Sequence, residues 1–160
     1  MSVVELLSSL GSIALIVGIV IAVAQLWALR QQRHEELVIR AYEPFLDEGL
    51  TTAYWRIQRW GQRDYATFSA TATVEDWTSL DIVATYFEMI GVLYKRGLAP
   101  LDLLDDLFAG SLLVTWAKVK PLVHGYRAEA GVPDYAQWFE RLAGDLERRV
   151  ARIEAKASAG

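Results

Sequence analysis

Cysteine is absent from the 160 residues, which excludes a disulfide framework, a thiolate metal centre and a cysteine nucleophile. Histidine is scarce. His34 and His124 are the only two, and neither Glu-x-x-His nor His-Glu-x-x-His occurs, so the helical spacings that gather di-iron or zinc ligands are missing. A P-loop, Gly-x-Gly-x-x-Gly, Gly-x-Ser-x-Gly and the arginine–histidine spacing of helical ribonucleases are lacking too, which removes every strong enzymatic signal. Sustained period-two alternation is not found, nor is a hairpin dipeptide between strand-like runs, an internal repeat or a low-complexity tract. A surplus of positive charge is also missing: 16 Lys and Arg stand against 20 Asp and Glu, for a net charge of -4 and a pI of about 5.2. Trp55, Arg56, Arg59, Trp60 and Arg63 do mix cations with aromatic rings. Without a broad basic field, however, that mixture does not point to nucleic acid.

The most informative absence is local. From Leu6 to Leu29 there are 24 residues with no charge, and the other 136 carry all 36 charged side chains. As a helix this run spans about 36 Å, slightly more than a hydrocarbon core of about 30 Å. Ser2 and Glu5 have capping-box spacing at its start, and Trp27, Arg30 and Arg33 follow as interfacial aromatic and snorkelling cations. Basic residues follow the run and none precedes it, which places the N-terminus outside and the remainder in the cytoplasm. Ala22-Val23-Ala24 has the form of a signal-peptide cleavage site. The run is too long for that purpose, and it lacks a basic leader. Gly11, Ala14, Gly18 and Ala22 share one face of the expected helix, with Gln25 almost in line, a pattern that lets a second membrane helix approach closely.

No Gly/Ser/Pro-rich linker follows, so the helix is expected to run on until Pro44 ends or kinks it. Further helices are expected over Thr52–Phe68, after an N-cap at Thr73 with Asp76 three residues on, and as a short segment from Pro100 that Gly110 breaks. Two more follow, one through Leu112, Trp116, Val119 and Val123 with Pro121 inside it, and one over Asp134–Lys156. The fold class is therefore all-α: one transmembrane helix (residues 1–29) continuing into a compact cytoplasmic bundle of about five helices (residues 30–160). Glu88 lies among Tyr86, Phe87, Met89 and Ile90, where an unpaired carboxylate is costly, so a buried ion pair with Arg40 is expected, with Arg56 and Arg59 as other candidates. Asp102, Asp105 and Asp106 have helical spacing and form an acidic face. Together with Trp55 and Trp60 they make the expected docking surface. No catalytic, cofactor-binding or metal-ligating set is expected.

Three stretches carry a resemblance: Arg40-Ala41-Tyr42-Glu43-Pro44; Tyr86 to Leu93 with Lys95-Arg96-Gly97; and Trp116 through Pro121 with Arg127. In these the chain resembles an uncharacterised bacterial family of small proteins with an N-terminal membrane helix and a helical cytoplasmic domain. The resemblance implies a membrane-anchored all-helical protein of the bacterial inner membrane and supplies no catalytic residue. The expected role is a non-enzymatic assembly protein, an accessory subunit or scaffold. Its partners are the lipid bilayer and either copies of itself or other membrane subunits, with no nucleic acid. The alternative is a homo-oligomeric pore or effector, although residues 13–24 carry no polar stripe to line a lumen.

Overall fold

The computed structural model of the chain describes residues 19, 21–25, 40, 43, 47–61 and 64–158; these form helices and turns, with no strand among them. The chain divides into two units, Met1–Ile39 and Arg40–Gly160. In the first unit, residues 21–25 are helical, and the apolar side chains Ile19, Ile21 and Val23 are about half exposed. Among the described residues no helix is long and apolar enough to cross a membrane. Most of the run expected to do so lies outside the described residues, as do Gly11, Ala14, Gly18, Trp27, Arg30 and Arg33. Ala22 and Gln25 are described, and both are helical and exposed.

The second unit contains α1 (Glu48–Gln58), α2 (Tyr65–Thr71), α3 (Val74–Lys95), α4 (Leu101–Ala130) and α5 (Gln137–Ser158). The single helix expected over Thr52–Phe68 is thus two. The break comes from Asp64, whose carboxylate accepts the Thr67 backbone N–H at 2.7 Å and starts α2 afresh. At the end of α1 the free carbonyls of Gln58 and Trp60 accept from the Lys118 ammonium at 3.0 and 2.6 Å, so α4 terminates α1 from outside. The N-cap expected at Thr73 forms a full capping box with Asp76, and α3 ends just before Gly97, whose φ of 66° suits a residue without Cβ.

Gly110 does not break the chain. Helix α4 runs 30 residues, about 45 Å, through both Gly110 and Pro121. A lone glycine is merely a poor helix former. The carbonyl freed by Pro121 belongs to Ala117, which like Pro121 is exposed, so water can take it. Gly131, at φ 67°, closes α4 by donating its N–H to the Arg127 carbonyl. Helix α5 begins at Gln137, three residues later than its expected start.

Helix α3 packs between α1 and α5, while α4 closes against α5, α2 and α1. The centre is aromatic: Phe139 stacks on Phe87 at 4.8 Å and meets Trp116 edge-on at 4.9 Å. Leu80, Ile90, Leu104, Phe108, Leu112, Leu122, Leu142 and Leu146 are fully buried around it. The close approach of α3 to α5 depends on Gly91, because a Cβ there would fall 2.3 Å from the Trp138 carbonyl oxygen. At Gly110 a Cβ would meet open space. Gly91→Ala is therefore expected to lower the unfolding free energy by about 1–3 kcal/mol. Gly110→Ala should raise it by about 0.5–1 kcal/mol. Urea titration followed by circular dichroism measures both, and equal effects would show that the two helices do not meet at Gly91.

Candidate interaction surfaces

Glu88 is half-buried on α3, three residues before Gly91 and on the same helical face. Its carboxylate accepts the backbone N–H groups of Trp138 and Phe139 at 2.8 and 2.9 Å. These are donors of the first turn of α5, which lack intrahelical partners and attract negative charge. A helix N-terminus brought in by Gly91 thus supplies the carboxylate with partners that its sequence neighbours did not reveal. Arg56 is engaged instead with Asp76 at 2.8 Å, tying α1 to the capping residue of α3. Further along the same interface Lys95 lies 4.0 Å over the Trp138 ring, and the Tyr94 hydroxyl donates to Asp145 at 3.2 Å.

The second polar cluster joins α4 to α5. Glu140 accepts from Arg127 Nη1 at 2.6 Å and lies 2.8 Å from His124 Nε2, while Arg127 Nε donates to the Tyr135 carbonyl at 2.8 Å. The Tyr135 bond holds the turn in which Ala136 takes a φ of 56°, the one positive value of a residue other than glycine among the described residues. Burial alone would raise the Glu140 pKa, but the hydrogen bonds from Arg127 and His124 outweigh it and hold the carboxyl below its ordinary value. The same balance holds for Asp76, where burial is outweighed by the bonds from Arg56 and Thr73. Both clusters fasten helices to one another. Among the described residues no three His, Asp or Glu side chains converge as a cation site.

Of the expected docking residues, Trp60 is only 8% exposed and packs on Phe68 at 5.2 Å, because the break after α1 turns it inward. Asp105 is also withdrawn from the acidic face: it is half-buried and pairs with Arg149 of α5 at 2.8 Å. Trp55, Asp102 and Asp106 remain exposed. Two other surfaces are largely apolar. One is a groove of about 520 Å³ between α1 and α3, lined by Leu50, Ile82, Tyr86 and Met89, with Asp47 and Asp81 also on its walls. The other is a stripe on α4. Leu103, Leu107, Gly110, Val114, Ala117 and Pro121 alternate spacings of four and three, and Leu107 and Val114 are 42% and 52% exposed. That is the seam spacing by which one helix packs along another. The signal is present in the sequence but masked there, because the core line Leu104, Phe108, Leu112 and Trp116 runs beside it.

Glu88→Ala should cost about 1–3 kcal/mol by leaving two half-buried N–H groups unpaired, and Glu88→Gln, which keeps an acceptor, distinctly less. Glu140 and Asp76 are depressed in the folded state. The stability they add is present above their unfolded values of 4.5 and 3.8 and is lost as pH falls through the lower folded values. Urea midpoints measured between pH 7 and pH 3 should therefore fall in the acid range. In Glu140→Gln the fall should be shallower, whereas an unchanged slope would remove Glu140 from the balance.

No curated protein and no solved structure matches the chain. Residues 12–146 match a family described as a domain of unknown function, DUF4760. The match takes in all three stretches that carry the resemblance to an uncharacterised family. With well over half of its residues inside the match, the chain belongs to the DUF4760 family.

Proposed function

We propose that the protein is a membrane-anchored, non-enzymatic interaction protein, an accessory subunit or scaffold of a membrane complex. The run Leu6–Leu29 crosses a bacterial cytoplasmic membrane with the N-terminus outside. The helical body in the cytoplasm offers its apolar stripe and groove to partner helices. The observation that carries this reading is large apolar side chains left about half exposed in both units: Ile19, Ile21 and Val23 in the first, Leu107 and Val114 in the second. The family match supports it by including both most of the uncharged run and the helical body. Lipid covers the first surface, and packing over Gly11, Ala14, Gly18 and Ala22 brings a second membrane helix alongside.

The chain should stay in the pellet when membranes are washed with alkaline carbonate, and removal of residues 1–29 should release it. Leu107→Glu with Val114→Glu places charge on the stripe without entering the core. In a maltoside detergent the double variant should melt within a few degrees of the parent and yet form a smaller particle by light scattering. Gly11→Leu with Gly18→Leu should shrink the particle as well. A parent chain that is already monomeric, and that co-purifies with nothing, would sink the assembly role.

A further inference from the structure

A cleft of about 300 Å³ opens between the first half of α3, the last third of α4 and the turn before α5. Its lining is Trp77, Tyr126 and Tyr135, with Leu80 at its base and Thr78 and Asp81 at its rim. The three rings stand in different planes. Tyr126 is inclined 56° to Trp77 at 6.1 Å and 63° to Tyr135 at 5.1 Å, as adjoining walls rather than a flat stack. Each wall is fixed from behind. Trp77 rests edge-on against Phe68 at 4.9 Å, and Tyr135 is held through its carbonyl by Arg127. Gly125, beside Tyr126, has no room for a Cβ, because Tyr65 fills that space at 2.2 Å.

The charge in the cleft has one sign. Asp81 is the single ionisable carboxylate of the lining, and no Lys, Arg or His lines it. Asp76, Asp105, Asp145 and Glu140 all pair with cations, but Asp81 takes part in no ion pair among the described residues. Its contact is the Tyr135 hydroxyl at 3.5 Å, long for a hydrogen bond. Burial, and then the Asp81 charge, push the Tyr135 hydroxyl well above its ordinary pKa, so it stays neutral. Nearby Arg127 pairs with Glu140 and is not among the lining residues.

Aromatic faces carry partial negative charge and attract cations, most strongly those whose alkyl shell makes desolvation cheap. A hard metal ion needs six or more oxygens, which one carboxylate and two or three hydroxyls do not provide. An anion finds no charged donor, and a neutral apolar guest gains nothing from Asp81. We propose that this cleft binds a small alkylammonium cation of the trimethylammonium type, its methyl groups against Trp77, Tyr126 and Tyr135 and its charge opposite Asp81. The volume admits a molecule of choline size, at the small end of ligand pockets.

The test uses the full chain in a maltoside detergent, titrated with choline chloride and followed by proton NMR of the N-methyl signal. A saturable upfield shift is expected, with cross-peaks to aromatic protons. The uncharged isostere 3,3-dimethylbutan-1-ol should bind at least about tenfold more weakly. Asp81 is exposed, so Asp81→Asn leaves the core untouched; it should weaken choline about tenfold and leave the alcohol unchanged. Tyr135→Phe keeps the ring and should hold choline affinity within about threefold. Equal affinity for choline and its isostere, no saturable binding by a chain with an intact melt, or an unaltered affinity in Asp81→Asn would each overturn the proposal.

Discussion

The helical body depends on the way α3 holds the start of α5. Gly91 lets the Trp138 backbone come within contact distance, and Glu88, one turn earlier, accepts the N–H groups of Trp138 and Phe139. Each feature needs the other. Without the missing Cβ the donors stay out of reach of the carboxylate, and without the carboxylate the approach leaves orphan donors half-buried. With α5 held there, Phe139 falls between Phe87 and Trp116, and Glu140 arrives beside Arg127 and His124. The register of α5 against two helices thus follows from one residue that is small and one that is charged.

The carboxylates of the body divide by what they hold. Glu88 holds a helix end, and Asp64 and Asp76 hold the starts of their own helices. Asp76, Asp105 and Glu140 join helices through arginines. Such pairs, partly exposed, add modestly to stability and fix which helix meets which. Asp81 has neither duty, and it sits at the mouth of an aromatic cleft. That position, with no arginine or helix end to hold among the described residues, marks it as a candidate for ligand recognition.

The exposed apolar residues of the two units raise the same physical question of what covers them in the cell. For Ile19, Ile21 and Val23 the covering medium proposed is lipid, and for the α4 stripe another helix. Both answers rest on the cost of leaving large apolar side chains in water, about 25 cal/mol for each Å². They call for different partners, since lipid accepts any apolar surface but a seam at heptad spacing accepts only a helix that matches it.

The sequence by itself determined the elements whose causes are local. The capping box at Thr73 and Asp76, the stops at Gly97 and Gly131, the all-α class and the buried line Leu80, Val83, Phe87, Ile90 all arise within a turn or two of chain. So does the uncharged run Leu6–Leu29, which composition alone sets apart. Tertiary structure decided what depends on distant residues. It carried α4 through Gly110, because packing of Phe108 and Leu112 on either side outweighs a glycine's weak helix preference. It closed the end of α1, with Lys118 of α4 taking the carbonyls of Gln58 and Trp60, and it set Trp60 in the core rather than on the expected surface. It gave Asp105 to Arg149, and it gave Glu88 two backbone donors of α5. Helical spacing shows that a buried carboxylate needs a partner. Which partner it meets is a matter of how closely two helices can approach, and Gly91, beside Glu88 on α3 but far from Trp138 in the chain, decides that.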